Sequence, residues 1–164
     1  MKKLIVAAVA AGALFGLPAL AHAQTQVYGT IGYASVDVDP VTLGAIQGRL
    51  GVQVNRYFAF EAEAAFGIAD DEVLGVTVEL SNELAAFAVV KAPVSESVNL
   101  FARLGYSTTD IDVGGTGVSG DGVAYGVGAE AFFTANDGVR VDWTRHDADG
   151  GEADVWAIAY VRRF

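Results

Sequence analysis

The chain has 164 residues, no cysteine, hydrophobic types at 52%, and 20 acidic against 10 basic residues. Disulfides and thiolate metal sites are excluded, and the acid excess argues against a nucleic-acid partner, because phosphate binding needs a basic footprint. The length suits a single domain.

Met1-Lys2-Lys3 opens the chain with positive charge, Leu4 to Leu20 is apolar or small with a break at Pro18, and Ala21-His22-Ala23 has an A-x-A pattern. These features mark residues 1–23 as a cleavable signal peptide, leaving a domain over 24–164. The leader carries two of the ten basic residues, so eight remain against twenty acids. Beyond it no stretch approaches the ~20 apolar residues of a membrane-spanning helix.

From Val27 onward the pattern has period 2, which predicts strands. In the first, Val27 to Val38, two faces compete: Val27, Ile31 and Tyr33 against Tyr28, Ala34 and Val36, with the former favoured as the outer one. Next, Ile46, Gly48, Leu50, Val52 and Val54 oppose Gln47, Arg49 and Gln53. The clearest strand follows: Phe58, Phe60, Ala62, Ala64, Phe66 and Ile68 alternate with residues that include Glu61 and Glu63. In the fourth, Val78, Leu80, Leu84, Ala86, Ala88 and Val90 oppose Glu79, Glu83, Phe87 and Lys91. In the fifth, Leu100, Ala102, Leu104 and Tyr106 oppose Phe101, Arg103 and Ser107. Val123, Tyr125, Val127, Ala129, Ala131 and Phe133 then oppose Gly126, Gly128 and Glu130, while Val139, Val141 and Trp143 oppose Arg140, Asp142 and Thr144. The last strand puts Trp156, Ile158, Tyr160 and Phe164 on one face.

Alternation alone fits a soluble sandwich, with its apolar face in the core, as well as a membrane barrel, with that face in lipid. The aromatics favour the second. If odd strands rise and even strands return, Phe58, Phe133 and Phe164 fall at one end, while Phe66, Tyr106, Tyr125 and Trp156 fall at the other, with Trp143 a little below. Two interfacial belts result. Connections follow the same asymmetry: Asn55 to Tyr57, Pro93 to Ser97 and Thr134 to Gly138 are tight turns, expected on the periplasmic side. The opposite connections, Asp37 to Leu43, Ala69 to Gly75, Asp110 to Gly122 and Asp147 to Glu152, hold a concentration of acids with no Lys or Arg expected among them. The expected fold is therefore all-β: an eight-stranded antiparallel up-and-down transmembrane β-barrel preceded by a cleavable signal peptide.

Pooling the less apolar faces places Arg49, Lys91, Arg103 and Arg140 beside Glu61, Glu63, Glu83, Glu130 and Asp142. An eight-stranded barrel is just wide enough for side chains to fill it, so these groups are expected to meet as a salt-bridged lumen plug. Arg49 and Arg103 are the simplest partners for Glu61 and Glu63.

Val27-Tyr-Gly-Thr-Ile-Gly-Tyr33, Gly48-Arg-Leu-Gly51 with Tyr57-Phe-Ala-Phe-Glu-Ala-Glu63, Leu100-Phe-Ala-Arg-Leu-Gly-Tyr106 and Tyr160-Val-Arg-Arg-Phe164 resemble the small OmpA/OmpX-type outer-membrane barrels, the porin-family or outer membrane protein β-barrel domain proteins of Gram-negative bacteria. The resemblance spans the whole domain and specifies architecture more than activity. It implies an outer-membrane location, and a C-terminal assembly signal of Trp156, Ile158, Tyr160 and Phe164 read by the barrel-assembly machinery. Arg162 departs from the family's usual aromatic or apolar residue at that position.

Other chemistry is weak in the sequence. His146 is the one histidine beyond the leader and reads as a solvated rim residue, since Ser107, Ser119 or Ser35 would have to approach it from other strands to build a Ser–His–acid site. Asp147-Ala-Asp149-Gly150-Gly151-Glu152 lacks the ligand spacing of a calcium loop. Gly126-Val-Gly128 lacks the third glycine and helix of a nucleotide fingerprint, and suits small positions beside bulky lumen groups. The expected function is a non-enzymatic structural role in envelope integrity, without cofactor. A narrow channel for small solutes is the alternative, and a rim-sited lipid-modifying enzyme or a soluble lipocalin-like barrel ranks lower. Expected partners are the lipid bilayer and lipopolysaccharide, the barrel-assembly machinery, periplasmic chaperones, and weakly held divalent cations at the acidic loops.

Overall fold

The computed structural model describes residues 25–38, 41–69, 71–73, 76–113, 116–148 and 151–164. The signal peptide expected over 1–23 and the loop acids Asp39, Asp70 and Asp149 lie outside them. The strands are β1 (Gln26–Val38), β2 (Val41–Gln53), β3 (Phe58–Ala69), β4 (Asp71–Val73), β5 (Val76–Pro93), β6 (Val98–Val113), β7 (Thr116–Phe132), β8 (Asp137–Ala148) and β9 (Gly151–Arg163). They lie in the order β3-β2-β1-β9-β8-β7-β6-β5-β4, and pairing of β3 with β5 closes the sheet on itself. Short β4 continues the stave of β3 along the same partner, so the wall is an eight-stave antiparallel barrel. Closure removes the unpaired edges that an open sheet would expose.

Alternation sorts the two faces as a lipid-solvated wall requires. Ile31, Leu50, Phe60, Phe66, Leu104 and Ile158 are exposed on the outside, whereas Arg49, Glu61, Glu63, Arg103, Arg140 and Asp142 are buried within. In β1 the favoured parity is the observed one: Val27, Ile31 and Tyr33 face out while Tyr28, Ala34 and Val36 are buried. Exposed Phe58, Phe133 and Phe164 stand at one end of the cylinder, and exposed Phe66, Tyr106, Tyr125 and Trp156 toward the other. Trp143 sits opposite Trp156 and meets Tyr125 edge-on at 6.4 Å.

Side-chain acceptors build the three tight turns. Asn55 Oδ1 accepts from the backbone N–H of Tyr57 and Phe58 at 2.8 and 2.9 Å, Ser95 Oγ from Val98 N at 3.0 Å, and Thr134 Oγ1 from Asp137 N at 2.9 Å. Such local bonds favour turns over further ladder.

The opposite connections differ from the loops expected. Strand pairing reaches Val38↔Val41 between β1 and β2, and Val113↔Thr116 between β6 and β7, so most of the segments Asp37 to Leu43 and Asp110 to Gly122 is hairpin. β-Branched Thr108 and Thr109 favour the ladder there in spite of the neighbouring acids. Between β8 and β9 the ladder ends at Ala148↔Gly151, where Gly151 has φ 135°, a conformation that favours glycine. A register shift between Leu80 and Asn82 interrupts the expected uniform parity of the fourth stave.

Candidate functional site

Among the described residues the interior concentrates the buried charged side chains, and strand register stacks them in tiers. At the turn end, Lys91 of β5 donates to both Glu130 oxygens of β7 at 2.9 and 3.2 Å, Asn99 Nδ2 donates to Glu130 Oε1 at 2.9 Å, and Arg163 lies 3.8 Å from the same carboxylate. Above it, Arg140 of β8 donates to Glu61 Oε1 of β3 at 2.5 Å and to Asp142 Oδ1 at 3.1 Å, while the Tyr28 hydroxyl of β1 donates to Glu61 at 2.6 Å. Arg49 of β2 donates to Glu63 at 2.5 Å, to both Asp142 oxygens at 2.8 Å, and to Gln47 Oε1 at 2.6 Å. Arg103 of β6 reaches Glu63 at 2.5 Å and the Thr144 hydroxyl at 2.9 Å.

Three guanidiniums thus share three carboxylates, with nearly every donor and acceptor engaged. That satisfaction is what makes so many ionised groups tolerable away from water, since a lone buried ion costs several kcal/mol. The partners differ in one respect from the simplest pairing: Glu63 takes both Arg49 and Arg103, but the close partner of Glu61 is Arg140, with Arg103 4.0 Å away. Barrel curvature is the cause. It brings β8 within side-chain reach of β3 across the cylinder, a contact no single hairpin reveals.

Four of the lumen cations also lie over inward rings. Lys91 is 4.3 Å from the Tyr28 centroid, Arg103 is 4.2 Å from Phe87, Arg140 is 3.9 Å from Phe101, and Arg163 is 3.3 Å from Phe132. Glycines on adjacent strands make room for three of these rings. A Cβ at Gly51 would lie 2.2 Å from Tyr28, one at Gly128 2.5 Å from Phe101, and one at Gly105 2.7 Å from Phe87. Desolvated cation–ring contacts contribute ~2 kcal/mol each, so the stacking supports the ion pairs.

The central side chains of Arg49, Glu61, Glu63, Arg103 and Arg140 are 0% exposed. No water-sized space touches them, and the lumen is plugged at this level. On the β1, β2 and β9 side, Ala34, Val36, Leu43, Ala45, Val155 and Ala157 form an apolar cluster that completes the filling.

His146 is not a solvated rim residue. It is buried, its Nδ1 lies 3.0 Å from Ser107 Oγ, and its Nε2 lies 3.7 Å from Glu83 Oε1. It shares the inward parity of Asp142 and Thr144, and β5 and β6 continue far enough past it to enclose it. Ser107 does come to it from another strand, so Ser, His and acid meet; yet all three are buried, and the acid stands beyond ordinary hydrogen-bond reach. Among the described residues no group of His, Asp and Glu could hold a metal ion.

The outer rim also differs from the expectation of acids alone. Arg145 donates through Nε and NH2 to Asp154 at 2.9 and 2.7 Å, and lies 3.5 Å from Glu152; Trp143 Nε1 donates to the same Asp154 at 3.1 Å. Tyr28, Gln47, Asn99, Thr144 and Arg163 are further lumen partners that charge pooling does not single out, although their parity carried the signal.

Three solved structures share this architecture. Ail of Yersinia pestis, in complex with the heparin analogue sucrose octasulfate, has TM-score 0.66 at 16% identity, covering 85% of this chain and 99% of its own. OprG of Pseudomonas aeruginosa has TM-score 0.66 at 10% identity, covering 87% and 97%. The N-terminal β-barrel domain of Pseudomonas aeruginosa OprF has TM-score 0.63 at 12% identity, covering 86% and 100%. At these identities the likeness is one of fold. No curated protein matches the chain. With a lipid-type exterior, a filled charged interior and a family model matching residues 7–164, the chain belongs to the outer membrane protein β-barrel domain family.

Proposed function

We propose that this outer-membrane barrel serves envelope integrity as a structural, non-enzymatic element with a non-conducting lumen. The observation that carries the reading is the set of five central ionic side chains at 0% exposure, bonded across the cylinder between β2, β3, β6 and β8. Water cannot file past groups that leave it no room. The expected cleaved signal over 1–23 accounts for export. Trp156, Ile158, Tyr160 and Phe164 form the outward face of the last strand and serve as the signal for the barrel-assembly machinery, with periplasmic chaperones shielding the chain before insertion. Lipopolysaccharide surrounds the outer belt, and divalent cations bridge its phosphates to rim acids such as Asp37, Asp121 and Asp147. A polyanion of the kind bound to Ail is not proposed as a ligand, because Arg145, the cation of this rim, is already committed to Asp154.

Planar-bilayer recording tests the central claim. The purified protein leaves the membrane resistance unchanged under conditions where a porin control gives stable steps. A reproducible open level from the unmodified protein would favour a narrow solute channel and overturn the plug.

A further inference from the structure

The plug contains one pair of titratable groups that its ion-pair bookkeeping does not use. Within 4.0 Å, Arg49, Arg103 and Arg140 are matched by Glu61, Glu63 and Asp142, and Lys91 by Glu130. Among the described residues Glu83 has no Lys or Arg nitrogen within that distance; its ionic neighbour is His146 at 3.7 Å. Both side chains are 6% exposed, and His146 Nε2, which faces Glu83, has no hydrogen-bond partner. Ser107 on β6 occupies the other ring nitrogen. The remaining charged groups facing the imidazole are Glu63 of β3, Arg103 of β6 and Arg49 of β2, while β7 and β9 present Ala124 and Ala153.

An ionised carboxylate in this position would stand buried, near Glu63, with no cation of its own. A neutral pair avoids that cost, whether the proton sits on the carboxyl or on the imidazole, since either arrangement sums to zero charge. We propose that Glu83 and His146 together carry one proton, on one group or the other, and that the neutrality it maintains beside Glu63 locks the outer end of the plug. The pair spans the lumen from β5 to β8, so the lock joins staves that do not hydrogen-bond to each other. Removing the proton leaves a buried anion facing another and loosens that end. The barrel is therefore firmer on the acid side of neutrality than on the alkaline side.

The inference rests on the plugged-lumen reading, and the two fail differently: conductance at every pH removes the plug, whereas a closed but pH-indifferent barrel removes only the lock. The test is the midpoint of heat-modifiable gel mobility, measured on lipid-reconstituted protein at pH 6 and pH 9. The wild type falls by roughly 5–10 °C between them, on the usual scale of a few degrees per kcal/mol for a domain of this size. Glu83→Gln, which keeps the shape and cannot ionise, loses most of that fall. An equal fall in Glu83→Gln, or none in the wild type, overturns the lock. If the variant does not fold, the imidazole resonances of His146 in the wild type, assigned by their absence in His146→Gln, decide instead. They shift between pH 6 and pH 9 if the pair releases its proton there, and resonances unchanged from pH 5 to pH 10 overturn the proposal.

Discussion

Removing the carboxylate charge of Glu63 is the most searching test of the interior, because two guanidiniums depend on it. Arg49 Nε and Arg103 NH1 each approach Glu63 Oε2 at 2.5 Å, and all three side chains are 0% exposed. At an effective dielectric of ~20, unit charges 4 Å apart attract by about 4 kcal/mol, and shorter contacts attract more. Desolvation of both ions offsets much of this in the intact pair, but not in a variant that keeps the cations and loses the anion. Glu63→Gln is therefore expected to cost about 3–5 kcal/mol, the usual penalty for breaking a buried pair from one side. The double variant with Arg103→Met removes an ion from each side, so its cost should fall at least ~1 kcal/mol short of the summed single costs. Reversible urea unfolding in lipid vesicles, followed by tryptophan fluorescence and gel mobility, measures all four corners of the cycle. Costs that add within ~0.5 kcal/mol would refute the reasoning, since they would mean that water screens the contact and the interior is wet.

Three further outcomes are expected. Gly128→Ala places a Cβ 2.5 Å from the Phe101 ring and 2.6 Å from Asp142 Cβ, and should lower stability by about 1–3 kcal/mol in urea titrations; Gly48→Ala, whose Cβ would meet only Thr30 O at 3.8 Å, should stay within ~0.5 kcal/mol of the parent. Leu104→Arg, on the exposed face of β6, should cost about 2–4 kcal/mol in bilayers, with a much smaller effect in a water-exposed turn such as Val94→Arg. Deleting Phe164 removes the bond from its N–H to Val27 O at 2.9 Å and the proposed terminal recognition residue, and should reduce heat-modifiable barrel in membranes several-fold while refolding from urea into detergent changes little; equal losses in both would assign Phe164 to stability alone.

Much of this barrel was legible because lipid imposes a simple rule on each strand. Glu61 and Glu63 alternating with Phe58, Phe60 and Phe66 reveal the inward face of β3, and the same rule resolves Tyr28 from Val27 in β1. What period 2 does not encode is the third dimension of the lumen. Arg140 and Glu61 lie 79 positions apart on staves that never pair, so their meeting depends on shear and curvature. His146 escapes period 2 for a related reason: it lies close to the acidic connection of β8 and β9, but the strands across from it outlast its own. The ladder between Asp110 and Gly122 likewise runs through glycines and acids whose composition points to a loop.

The junction of β1 and β9 carries a consequence for biogenesis. These staves, the earliest and latest in the described chain, are neighbours over ten paired residues, from Tyr28↔Arg163 to Asp37↔Asp154. A chain lacking β9 can form hairpins in succession, yet its two outermost strands still offer raw backbone to any other polypeptide. Circularisation thus waits on β9, and a chain deprived of that strand would be left as a sticky ribbon in place of a cylinder.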